Sequence, residues 1–108
     1  MNYRKKQADV LKSLKKDGGQ ATFERLLSDG GRVLYSGYVL RIERRIGDRR
    51  MFDESVEIGD YKYIAEGSLN IKEGDLITYV GETRVVSRVE AMQPADVVIF
   101  WYVWSRTT

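Results

Sequence analysis

The side chains with the most chemical potential in this chain are arginines. Five of them stand within RIERRIGDRR, residues 41–50, at positions 41, 44, 45, 49 and 50. Guanidinium groups at that density attract phosphate, a contact that is blind to sequence and sensitive to salt. Reading bases would also need aromatic side chains interleaved with the cations, for stacking. Only Phe52 is close, and the short motifs of RNA-binding sheets are absent. The stretch that follows, MFDESVEIGD, holds Asp53, Glu54, Glu57 and Asp60, which offset much of the positive charge. Such a segment can touch a phosphate backbone without selecting a base sequence.

Little else in the chain suggests reactivity. It has no histidine and no cysteine, which removes disulfides, the usual zinc ligands and the common neutral-pH acid–base group. The acidic pairs Asp53/Glu54 and Glu73/Asp75 fall in turns, where adjacent carboxylates carry no glycosidase geometry. Asp53, Glu54, Glu57 and Asp60 lack the spacing and central glycine of a calcium loop. The sequence therefore predicts no enzyme, no metal site and no cofactor.

These residues must be positioned by a single domain, since the chain has 108 residues. A hydrophobic content of 43% with 31% charged residues is that of a folded protein. The net charge of +2 is unevenly placed: residues 1–17 carry six basic side chains against Asp9 and Asp17, so the remainder is net acidic. A chain built mainly to hold nucleic acid is usually more lopsided. The N-terminal stretch lacks the continuous apolar run of a secretory leader, and residues 97–104 are too few to span a bilayer. The expectation is a soluble intracellular chain.

Val10, Leu11 and Leu14 form a narrow apolar stripe at helical spacing, which predicts a helix over residues 3–17 that must dock on something. Gly18 and Gly19 end it, with a left-handed residue expected there. Beyond them the period falls to two. Strands are expected at 21–27, 33–45, 56–58, 61–66, 75–80, 82–91 and 96–106, with Gly37 marking a bulge or bend. Val80-Gly81-Glu82, between two alternating runs, reads as a tight hairpin. The prediction is a mostly β fold: a small antiparallel β-barrel or sandwich with one N-terminal α-helix and a long inter-strand loop. Residues 1–19 form the basic amphipathic helix, and residues 20–108 form the barrel domain with its loop at 44–57.

Both faces of the last strand are apolar, Trp101 and Val103 on one and Tyr102 and Trp104 on the other. A strand of that kind is covered on both sides, here by the barrel interior and the N-terminal helix, or in part by another subunit. Val10, Leu11, Leu14, Trp101 and Trp104 are thus the candidates for a helix-docking or subunit interface. Arg84 and Arg88 share a strand face with Val86 and Glu82, a solvated face or the polar rim of an assembly interface.

The order of these segments resembles a family. A basic helix leads into QATFERL, then YSGYVL, a variable loop, VEIGDYKYIAEG and IKEGDLITYVGETRVVSRVEAMQPADVVIFWYVW. This is similar to the small neck proteins of tailed bacteriophages, the head-closure (stopper) or head–tail joining group. The matching positions are Gly59, Asp60, Ala65, Gly74, Asp75, Ile77, Gly81, Val85, Val86, Val89, Pro94, Tyr102, Val103 and Arg106. They are turn glycines and strand positions spread over nearly the whole chain. The chain departs from the family at Arg84, where many relatives carry an aromatic, and in its arginine-rich loop.

The resemblance implies a structural virion protein assembled in the host cytoplasm into a sixfold or twelvefold homo-oligomeric ring. Its partners would be the portal and adaptor proteins above and the tail terminator or tail tube below. Such a ring closes the DNA channel and offers the tail a docking platform. The loop at 44–57 would project into the channel, where Arg44, Arg45, Arg49 and Arg50 would make non-specific contact with double-stranded DNA. A ring multiplies any one weak contact. Two other readings fit the same features: a tail terminator, tail-completion or adaptor ring protein, and a small β-barrel nucleic-acid-binding protein.

Overall fold

The structure, a computed structural model, describes residues 2–42 and 61–106. The chain runs as a helix α1 (Tyr3–Asp17) and six strands: β1 (Gly19–Leu26), β2 (Arg32–Ile42), β3 (Tyr61–Glu66), β4 (Leu76–Tyr79), β5 (Glu82–Met92) and β6 (Phe100–Arg106). The strands close into a barrel in the order β1-β2-β3-β6-β5-β4, and every neighbouring pair is antiparallel. The expected mostly β class, with a barrel rather than an open sandwich, is what the chain forms. The expected strand at 56–58 and the end of the expected strand 33–45 lie outside the described residues.

Asn2 caps α1, its side chain accepting a hydrogen bond from the Lys5 N–H at 3.1 Å. Lys15 and Lys16 sit in the last turn, where the helix dipole favours cations. Gly18 closes the helix by donating to the Leu14 carbonyl at 2.9 Å, but its φ of −107° is not left-handed. Glycine is required there for space instead, since a Cβ would lie 2.1 Å from the Val39 carbonyl oxygen. This close approach seats α1 on the outer faces of β2 and β3. Leu14 is buried, Val10 and Leu11 are half-buried, and Val10 and Leu14 border Leu40, Ile64 and Phe100.

Inside the barrel, alternate residues of each strand make one core of Ala21, Phe23, Val39, Tyr63, Ala65, Ile77, Val86 and Val103. Tyr35 stacks on Phe23 with ring centroids 4.9 Å apart. Ile71, from the connection between β3 and β4, is buried with them.

Two register details differ from expectation. The β1–β2 ladder is unbroken from Gly19↔Val39 to Leu26↔Arg32, so Gly37 marks no bulge. Its missing side chain makes room for Leu69, which a Cβ would meet at 2.7 Å. The bulge lies in β5, between Val86 and Arg88. One extra residue there reverses the inward–outward alternation. Val86 pairs with buried Ser105, whereas Arg88 pairs with Trp104 on the outside. The expected common face of Arg84, Val86 and Arg88 is therefore not formed. Arg84 is only 3% exposed, neither a solvated face nor a rim.

The last strand begins at Phe100 rather than at residue 96. Residues 97–99 instead turn toward the helix, and the Val98 carbonyl accepts a hydrogen bond from Gln7 Nε2 at 2.8 Å. The helix reaches only the start of this strand. Farther along its outer face, Lys62 stands 4.4 Å from the Tyr102 ring and 4.9 Å from Trp104, and Arg88 stands 4.6 Å from Trp104.

Candidate functional site

One mouth of the barrel is formed by the ends of β2, β4 and β6 and the starts of β3 and β5. The connection 43–60 leaves and returns here. Strand alternation turns Arg41 of β2, Tyr61 of β3, Tyr79 of β4 and Arg84 of β5 into this mouth. The Arg84 guanidinium lies 4.1 Å from the centre of the Tyr61 ring, and Arg41 lies 4.7 Å from the same ring and 5.9 Å from Tyr79. Two cations thus share the faces of one pair of phenols, an attraction worth more in a desolvated site than in water. Arg84 also donates from Nε to Ser105 Oγ at 3.0 Å and from Nη1 to Glu82 Oε1 at 2.8 Å. Deeper in, burial pushes the Tyr63 phenol up, so it stays neutral. The arrangement fixes two positive charges beside the start of the connection, with neutral hydroxyls behind them. It contains no nucleophile–base pair.

The opposite mouth is closed by an ion pair. Arg25 Nε and Nη2 bind the two oxygens of Asp75 at 2.9 and 2.7 Å, and the Tyr35 hydroxyl donates to the same carboxylate. The Lys72 N–H adds a fourth bond at 3.2 Å. Burial alone would raise the Asp75 carboxyl, but the bonds from Arg25, Tyr35 and Lys72 outweigh it and hold it below its ordinary value. The Tyr35 phenol is pushed well up, by burial first and then by donating to Asp75. Arg25 is raised by its bond to Asp75. Every member has a partner, so this cluster locks the fold and leaves nothing poised to react.

The residues singled out from the sequence fall in different places. Arg44, Arg45, Arg49 and Arg50 lie outside the described residues, as do Asp53, Glu54, Glu57 and Asp60. Val10 and Leu14 of α1 face Leu40, Ile64 and Phe100 across the helix–barrel seam. Trp101 points inward and donates from Nε1 to the Leu69 carbonyl at 2.8 Å, closing the barrel rather than presenting a surface. Trp104 points outward, buried beside Tyr102, and its Nε1 has no hydrogen-bond partner among the described residues. The two tryptophans therefore occupy opposite faces of β6, and neither borders the helix–barrel seam lined by Val10 and Leu14. Among the described residues no group of three or more acidic side chains could hold a metal ion. No helix among them is long and apolar enough to cross a membrane.

Sequence reasoning missed the inward placement of Arg84, Arg25 and Asp75. For Arg25 a signal existed: it shares the alternation of Ala21 and Phe23, so the strand that buries them turns it inward too. For Arg84 the same signal existed, its alternation with Val86; what had no local signal was the bulge that takes Arg88 off that face. Comparison with protein-family models, with curated proteins and with solved structures finds no match to this chain.

Proposed function

We propose that this chain is a structural, non-enzymatic protein of a tailed-phage neck, forming a ring below the portal that closes the DNA channel and carries the tail. One observation carries the reading. The longest connection between strands, residues 43–60, holds Arg44, Arg45, Arg49 and Arg50 and springs from the barrel mouth occupied by Arg41 and Arg84. A closed barrel with one long excursion that clusters four arginines in its first half suits a ring whose loops converge on a channel. The resemblance in segment order supports the same conclusion. Each loop needs only a weak, sequence-blind grip on phosphate, because a ring presents several at once.

The test is genome retention in DNA-filled, tail-less capsids prepared without this protein. Addition of the purified chain should protect the genome from nuclease. Equal retention with and without it would remove the head-closure role, and location at the top of an isolated tail would then favour a tail-terminator role.

A further inference from the structure

Two separate surface features of the barrel match each other. The first is the outer part of the β1–β2 hairpin. Pairing of β1 with β4 stops at Glu24, and pairing of β2 with β3 starts only at Val39. Beyond those points the two strands have only each other as sheet neighbours. There Leu26 and Leu34 are 70% and 63% exposed, and Leu27 and Val33 are exposed as well. Four apolar side chains on the two faces of one projecting hairpin exceed the isolated exposed leucine that any surface carries. Asp29 stands at the turn, and Arg32 is held by Glu24 at 3.2 Å.

The second is a groove of about 530 Å³ between the first half of α1 and the connection joining β5 to β6. Tyr3, Val10, Met92, Ile99 and Phe100 line it, with the exposed side chains of Lys6 and Asp9 beside them. A cavity of roughly 150 Å³ accepts a benzene-sized group, so this groove has room for paired leucines.

We propose that the hairpin of one copy seats in the helix-side groove of the next, head to tail. The occupant is a second copy because the chain supplies both halves of the contact. Leu26 and Leu34 match the apolar floor, and Asp29 and Arg32 are opposite in sign to Lys6 and Asp9. A contact between two different patches repeats from copy to copy, and it makes a ring when the rotation closes. That closure rests on the neck assembly proposed above; the contact itself does not.

The chain has no cysteine, so one can be placed on each half. Copies carrying Leu34→Cys, mixed with copies carrying Met92→Cys and oxidised, should give the mixed cross-linked dimer in excess over either symmetrical one. Leu26→Asp with Leu34→Asp alters only exposed positions and should weaken self-association in sedimentation at least about tenfold. Met92→Asp should do the same from the other side. A mixture of these two variants should form dimers and nothing larger, because each retains one working half. Preferred Leu34→Cys homodimers would overturn the proposal in favour of symmetrical hairpin pairing. A wild-type chain that stays monomeric at millimolar concentration, with no mixed cross-link, would also overturn it. Rings that still form on capsids with the double aspartate variant would overturn the contact and leave the neck reading standing. Mixed cross-links without genome retention would uphold the contact and remove the neck reading.

Discussion

At the scale of single residues, Asp75 holds one end of the barrel shut through Arg25, Tyr35 and the Lys72 N–H. Its carboxyl lies below the ordinary value in the folded state. The stability it contributes is therefore complete above the unfolded carboxyl value, about pH 4, and is lost as pH falls through the lower folded value. Thermal melting should show a midpoint that is flat near neutrality and declines in acid below that point. Asp75→Asn should cost roughly 2 kcal/mol at pH 7, because it leaves Arg25 and Tyr35 with a poorer acceptor while Arg25 keeps some access to water. It should also flatten the acid decline. An unchanged acid limb in the variant would show that other carboxylates set it.

At the scale of elements, the β4–β5 hairpin turns through Val80 and Gly81, both at positive φ, 52° and 77°. Two positive values in a two-residue turn are those of type I′, whose twist matches that of the strands. Val80 is β-branched, 78% exposed and poorly suited to that conformation. Val80→Asn should raise stability by about 1 kcal/mol in urea unfolding, with the slope unchanged. The helix gives the opposite expectation. Leu14 is its one buried side chain, and Gly18 has no room for a Cβ against Val39. Leu14→Asp places a charge in the apolar seam and should destabilise by about 3 kcal/mol or detach the helix, visible as loss of helical circular dichroism. Both elements were legible in the sequence, the turn from its Val-Gly pair and the helix from its stripe. The left-handed ending expected at Gly18 was not found, because the closeness of β2 is a tertiary fact.

At the scale of the whole molecule, the proposed ring makes the connection 43–60 a collective device. Replacing Arg44, Arg45, Arg49 and Arg50 together with glutamine should leave the melting temperature within a few degrees. Genome retention should fall sharply at low salt, and the difference from wild type should shrink as salt rises and screens the contact. Retention equal to wild type across a salt series would mean that these four arginines do not face DNA. Single replacements should have much weaker effects, since a ring shares the contact among copies.

The local period of the chain determined much by itself. One helix, a succession of short antiparallel strands, the hairpin at Val80 and Gly81 and the clustering of arginines in the longest connection all follow from neighbours within a few residues. The tertiary structure decided which face of each strand is inside. The bulge between Val86 and Arg88 reverses the alternation midway along β5, so Arg84 is buried beside Tyr61 while Arg88 covers Trp104. It also decided that α1 lies over β2 and β3 and that Asp75 reaches Arg25. Each of these depends on pairing between strands far apart in sequence. A period of two sets the alternation of side chains along a strand, and only the partner strand sets its phase.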